Sequence, residues 1–426
     1  MNHQCVDWNE SKLGDVIIGN PEYGINAAAE AFDFNKLTYL RITDIDDQGK
    51  LLERTLCSIS HRQSKDYLLN EGDVVFARTG ASVGKTYIHQ NPKYPLVFAG
   101  FLIKIQPNPN IIVPYFLFLQ TQTKKYKNWI VTNSMRSGQP GINSNELKTL
   151  PIVLPSLNEQ HKIAQALTNA DNYISALEKL IEKKMLIKEG LMVNLLTGKQ
   201  RLKKFAYNED DSAKGYKDSE LGKIPEDWNV GSLGNLTTLK ARIGWQGLTV
   251  AEYLDQGDYY LVTGTDFNEG FIDFDNCPYV DRSRYLQDTN IQLKTNDVLV
   301  TKDGTIGKVA FIENLDLPAT LNSGVFVVRP IGSGINSKFL YYILMSKYFD
   351  NFLKKITAGS TITHLYQKDF VHFDFVLPTI EEQNLIVNCL SNIDNDLKLL
   401  VAKLNKAKNI KQGMMQKLLT GEIRLA

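Results

Sequence analysis

The segment Ala77–Thr86, ARTGASVGKT, has the residue types of a phosphate-binding loop. Glycines let a backbone curl until several N–H groups face one anion. A lysine then reaches the outer phosphates, and a Ser or Thr hydroxyl holds Mg²⁺. That chemistry requires four residues between the two glycines. Here three separate Gly80 from Gly84, ahead of Lys85 and Thr86. Whether the segment is an ATP site depends on the elements that present it.

Those elements are written twice. VLPSLNEQHKIAQALTNAD (153–171) returns as VLPTIEEQNLIVNCLSNID (376–394), an offset of 223. At the same offset LLTGKQRL (195–202) returns as LLTGEIRL (418–425), and about 22 of 50 positions are identical over the ungapped span. Weaker echoes lie upstream: WNESKLG (8–14) with WNVGSLG (228–234), and YLRITDID (39–46) with YLVTGTDF (260–267). EGDVVFARTGASVGK (71–85) returns as TNDVLVTKDGTIGK (295–308) with one residue fewer. In the second copy only two residues separate Gly304 from Gly307, and Val309 replaces the hydroxyl. A phosphate loop tolerates neither change. What both copies keep is a strand, a glycine turn, a lysine and another strand, which predicts a β-hairpin with a cationic tip. Arg78, Lys85, Lys302 and Lys308 are candidates for DNA phosphate contact; a plain tight turn is the alternative.

The 426 residues allow two or three domains, and the apolar share is that of a soluble globular protein. There is no run of about 18 apolar residues to cross a membrane, and the polar start MNHQCVDWNE lacks an apolar signal core. Cys5, Cys57, Cys277 and Cys389 are scattered without a CxxC pair, which fits a reduced cytoplasm and argues against zinc. The six histidines are dispersed with no HExxH, so no metal site is expected. A net charge of +1 neither shows nor excludes nucleic-acid binding.

Each copy ends in helical periodicity. Ile163, Leu167, Ala170, Ile174, Leu177 and Ile181 alternate by four and three; Ile386, Leu390, Ile393, Leu397, Leu400 and Leu404 occupy the corresponding positions. This pattern predicts a coiled-coil seam on helices over about 158–197 and 381–420, each roughly 60 Å long. Pro155 and Pro378 precede the starts, and Gly198 and Gly421 follow the ends. Two equivalent seams in one chain satisfy each other most simply as an antiparallel pair with pseudo-twofold symmetry. Lysine-rich runs late in both helices suit a solvated face, a partner protein or a DNA backbone.

The fold class expected is α/β (α+β): two globular heads joined by the long helices. Head 1 covers 1–154, the central helix 155–202, a polar linker 203–224, head 2 225–377 and the C-terminal helix 378–426. Lys124, Lys125, Tyr126, Lys127, Trp129 and Arg136, then Lys347, Tyr348, Lys354 and Lys355, interleave basic and aromatic residues. That suits phosphate contact with stacking, or an amphipathic helix with snorkelling lysines. The loops MRSGQPG (135–141) and TAGSTITH (357–364) diverge between copies. Arg136, Gln139, Thr361, Thr363 and His364 carry donors and acceptors that read base edges.

The VLPxxxEQ motif, the long helix, LLTGxxRL, the segment YKDSELGKIPEDW and the DGTIGK hairpin together resemble the specificity subunit of type I restriction-modification systems, over nearly the whole chain. The resemblance implies two target-recognition domains, each reading half of a bipartite asymmetric DNA site. It implies a helical pair that fixes the spacer and docks two methyltransferase subunits, with restriction subunits joining that core. S-adenosylmethionine, ATP and Mg²⁺ would act in those partners, and this chain would do no chemistry. Glu159, Gln160, Glu382 and Gln383 match the family's helix-start motif and are expected at the head–helix junction. Two alternatives stand beside it. An adenine-N6 methyltransferase is suggested by NPEY (20–23), similar to the NPPY that grips a flipped adenine, although Glu22 replaces a proline and GWQG (244–247) stands in the second copy. A non-catalytic coiled-coil adaptor is the other.

Overall fold

Strand VVFA, Val74–Ala77, is apolar at every position because the sheet that contains it is covered on both faces. The computed structural model describes residues 8–90, 93–243, 247–357 and 364–425. Contacts divide the chain into unit 1, residues 1–179 with 402–426, and unit 2, residues 180–401. Unit 1 contains strands β1 (Ile17–Tyr23), β2 (Val74–Ala77), β3 (Thr86–Ile88) and β4 (Leu102–Pro107), then helices α1 (Pro114–Gln120) and α2 (Lys124–Ser134). Helix α3 (Leu157–Thr197) leaves it. Unit 2 repeats the plan with β5 (Thr237–Ala241), β6 (Val298–Thr301), β7 (Val309–Phe311), β8 (Val325–Pro330), α4 (Ser337–Leu344) and α5 (Lys347–Thr357). Helix α6 (Ile380–Leu418) closes the series.

The four-stranded sheets share one order, β1-β4-β2-β3 and β5-β8-β6-β7, antiparallel throughout. In unit 1, Val74, Phe76, Ile103 and Ile105 pack with the helices, while Val75, Ala77 and Leu102 pack on the opposite face. In unit 2, Val298, Val300, Phe326 and Val328 take the helical side, and Leu299, Val325 and Val327 the other. The period-2 alternation of strands therefore fills two apolar layers instead of one.

The expected helix pair is observed within each unit. Asp171 meets Lys411 at 2.5 Å and Glu178 meets Lys408 at 2.8 Å in unit 1. Lys188 meets Asp394 at 2.6 Å in unit 2, and Lys184 pairs with Asp396. Residue numbers rise on α3 as they fall on α6, so the pairing is antiparallel. The first seam positions do a second job. Ile163 and Leu167, with Leu418 and Leu419, complete the core of unit 1; Ile386 and Leu390, with Leu195 and Leu196, complete that of unit 2. Each core is thus closed by the tail of the other copy's helix. The segment expected to be a linker, 203–224, carries a short helix (Lys203–Ala206) and a hairpin of Tyr216–Ser219 with Gly222–Pro225. Gly222 at φ +95° and the Ser219 hydroxyl on its carbonyl (2.6 Å) make that turn.

The second glycine of each hairpin has a packing reason. A Cβ on Gly84 would lie 2.7 Å from Ile130 Cγ2, and one on Gly307 would lie 2.1 Å from Leu353 Cδ1. Both glycines have positive φ, and Ile130 and Leu353 are also repeat equivalents. Gly307→Ala therefore lowers stability by about 2–4 kcal/mol, whereas Gly304→Ala, at positive φ with open space around it, costs about 1 kcal/mol. Urea unfolding of the two variants checks the difference.

Candidate nucleic-acid interface

In both units the hairpin tip is held against the loop that follows the second head helix. In unit 1, Thr79 bridges to Gly141, Gly80 N–H donates to the Pro140 carbonyl (2.9 Å), and Ile142 N–H donates to that of Arg78 (2.8 Å). In unit 2, Asp303 bridges to His364, and Leu365 N–H donates to the Lys302 carbonyl (2.8 Å). Two segments far apart in sequence thus form one surface in each unit.

Four of the six backbone N–H groups from Gly80 to Lys85 are already committed. The N–H groups of Gly80, Val83, Gly84 and Lys85 all donate to protein carbonyls at 2.9–3.1 Å. Thr86, the would-be Mg²⁺ ligand, is buried, with its hydroxyl 2.7 Å from that of Thr121. The NPEY segment lies in β1 beside a bulge. Asn20 accepts from Lys148 at 2.6 Å, and Glu22 pairs with Lys104 at 2.8 Å. Among the described residues, no cluster of His, Cys, Asp and Glu could hold a metal.

The candidate DNA contacts differ in what already holds them. Lys85 pairs with Asp47 at 2.7 Å, and this ammonium keeps the exposed Asp47 carboxyl below its ordinary range. Arg136 is tied by Nη2 to both Glu146 oxygens at 2.5 and 2.6 Å, and by Nη1 to the Asn133 and Met135 carbonyls. Its guanidinium anchors the loop. Gln139 is exposed, with Nε2 close over Gly80. Arg78 lies 4.7 Å over the Tyr23 ring. Lys302 lies 5.4 Å over Phe326. Lys308 is exposed, has no ion-pair partner among the described residues, and lines a cavity of about 330 Å³ with Phe267, Glu269 and Asp350. His364 pairs through Nδ1 with Asp303 and packs 4.5 Å from Tyr366. Thr361 and Thr363 lie outside the described residues.

The helix-start motif is a junction, as expected. The Gln160 Oε1 accepts from Val113 N–H at 2.8 Å, and its Nε2 donates to the Ile111 and Pro155 carbonyls. Gln383 repeats this with Asn336, Gly334 and Pro378. Glu159 accepts from Trp8 Nε1 (3.3 Å) and from Arg424 (2.6 and 2.7 Å), and the Arg424 bond holds its carboxyl below the ordinary range. Glu382 accepts from Trp228 Nε1 (2.8 Å) and from Arg201 (3.0 and 2.6 Å). Trp8, Trp228, Arg201 and Arg424 recur in both copies; the repeat flagged them, but not what they bind.

Residues 5–187 and 225–409 each match the family model described as the type I restriction modification DNA specificity domain. The chain belongs to that family. Among the relatives of this specificity chain, MjaX of Methanocaldococcus jannaschii, described as a type I restriction enzyme specificity subunit, is 28% identical over 98% of the chain and 94% of its own length. The MjaVIII specificity subunit of the same organism is 26% identical over 85% and 81%. The type I restriction-modification S subunit of M. genitalium shares the fold, with a TM-score of 0.61 at 15% identity over 98% of this chain and 97% of that one. So does a chain from a study of assembly and conformational transition of the type I system, at 0.53 and 17% over 98% of each. No helix of the specificity chain is long and apolar enough to cross a membrane, among the described residues.

Within this frame the two hairpin lysines separate. Lys308→Ala reduces the slope of log K against log salt for DNA binding by about 0.9, the value of one phosphate contact. Lys85→Ala reduces it by less, because Asp47 already offsets that charge. Equal slopes for both variants and the parent protein would return them to turn residues.

Proposed function

We propose that this chain is the DNA-reading subunit of a type I restriction-modification complex, with unit 1 and unit 2 each reading one half of a bipartite, asymmetric site. The observation that carries this is the repeated tip-and-loop surface, built on one topology but faced with different chemistry. Unit 1 presents Arg78, Tyr23 and Gln139; unit 2 presents Lys302, Asp303 and His364. Identical scaffolds with different donors and acceptors suit two different half-sites. The paired helices set the spacer and dock two methyltransferase subunits, to which restriction subunits join. The chain itself is non-catalytic and acts in the cytoplasm. S-adenosylmethionine, ATP and Mg²⁺ serve the partners. An adenine must leave the stack to be methylated, so the partner must reach a base beside each unit.

Mapping N6-methyladenine in host DNA with the chain present and deleted tests this. Loss of one split motif, two short half-sites around an unspecified spacer, is the expected result. Loss of an unsplit motif, or no change when the partners are expressed, overturns it.

A further inference from the structure

Arg78 occupies an unusual position among the arginines of this chain. Its backbone is pinned on both sides: its N–H donates to the Phe101 carbonyl (3.0 Å), and its carbonyl accepts from Ile142. Among the described residues its guanidinium pairs with no carboxylate; it lies over the Tyr23 ring, and Nη1 donates to the Gly100 carbonyl at 3.4 Å. Its Nε is the sole buried side-chain nitrogen or oxygen without a hydrogen-bond partner among the described residues. By contrast, Arg41, Arg136, Arg201, Arg284 and Arg329 each pair with a carboxylate, and the buried Arg242, which also meets no carboxylate, donates from Nε, Nη1 and Nη2 to the Leu321 carbonyl, Gln287 and Thr320. A buried donor left unmade is costly, so a native structure that keeps one calls for an explanation.

Phe101 stands opposite Arg78. The β2–β4 register ends at Ala77↔Leu102, and the Arg78 N–H bond continues it by one step. Cross-strand neighbours project to the same face. Phe101 is 60% exposed, while Leu102 beside it is fully buried. The fold does not require this aromatic. At the matching turn of unit 2 stands Gly324, which keeps the equivalent bond, Lys302 N–H to its carbonyl, at 2.8 Å.

We infer that Arg78 and Phe101 read two neighbouring base pairs of the half-site taken by unit 1, Arg78 a guanine through O6 and N7, and Phe101 the methyl group of an adjacent thymine. This rests on the DNA-reading role proposed above. An arginine fork matches the guanine edge, and an aromatic side chain matches the thymine methyl. Adjacent strands lie about 4.8 Å apart, between one and two of the roughly 3.4 Å steps between bases, so facing side chains can reach neighbouring pairs. Stacking on Tyr23, whose hydroxyl accepts from Ser144 N–H at 3.0 Å, holds the guanidinium in place.

The test uses the chain assembled with its methyltransferase partners and DNA carrying the mapped target. Each thymine of the unit 1 half-site is replaced singly by deoxyuridine, which lacks only the methyl group, and each guanine by 7-deazaguanine. One deoxyuridine position should weaken binding by the parent complex about fourfold, the worth of one buried methyl. The Phe101→Ala complex should bind the thymine and deoxyuridine DNAs equally. One neighbouring 7-deazaguanine should cost the parent about tenfold and the Arg78→Ala complex nothing further. A half-site without a G·C pair beside an A·T pair, or variants that keep the parent's sensitivity to both analogues, overturns the assignment while leaving DNA reading intact. A parent complex that ignores the mapped target altogether defeats the underlying function instead.

Discussion

Glu382→Ala lowers the unfolding free energy of the protein by about 3 kcal/mol. The Glu382 carboxylate is fully buried and accepts three charged or indole N–H donors, two from Arg201 and one from Trp228. Removing it strands the Arg201 guanidinium, whose side chain is only 4% exposed. Breaking a buried pair from one side costs about 3–5 kcal/mol, because the remaining charge stays desolvated. Asp227, still 2.8 Å from Arg201, places the loss at the low end. The repeat equivalent is an internal control. Arg424, at 43% exposure, can turn to water, so Glu159→Ala costs about 1 kcal/mol. Guanidinium unfolding followed by tryptophan fluorescence reads both. Equal losses, or none for Glu382, would show that these carboxylates do not hold the junctions.

Exchanging residues 1–154 for those of a relative with another target replaces one half-site completely and leaves the other half and the spacer as they were. Each mismatched base pair costs about 1–3 kcal/mol, roughly additively, so three or four altered positions abolish recognition of the old half. The exchanged head must keep a tryptophan at position 8, because its Nε1 meets Glu159 of the retained helix. Methylated motifs mapped in cells carrying the chimaera give the answer; a change in both half-sites is the result that would sink a two-headed reader.

The sequence made much of this legible, for reasons that can be traced. The long helices were readable because their apolar residues recur every three or four positions; Ile163, Leu167, Ile174, Leu177, Ile386 and Leu390 are buried, whereas Ile181, Leu397, Leu400 and Leu404 are half-buried. The hairpin was readable because its second copy broke the phosphate-loop spacing, and the N–H groups of Gly80, Val83, Gly84 and Lys85 are indeed consumed internally. The ion pairs were not readable. Lys85 meets Asp47 and Arg136 meets Glu146 through tertiary placement, which no local period encodes. Nor was it evident that Ile163 and Leu167 serve a head core as well as a seam. Phe101 carries no local signal of its own; aligning the copies sets it against Gly324, and an aromatic facing a glycine at a turn is the signal the sequence offers.

The closure of the first core by Leu418 and Leu419 also sets an order in time. These residues are made about 250 positions after Leu167. At roughly 5–20 residues per second, the ribosome delivers them some 10–50 s later. Throughout that interval the nascent first head carries an unfinished apolar face, whereas residues 180–401 complete their own core within one continuous stretch of chain. The half of the protein translated first is therefore the half that finishes folding last, and the interval before its last strip of side chains arrives is when a chaperone has a surface to hold.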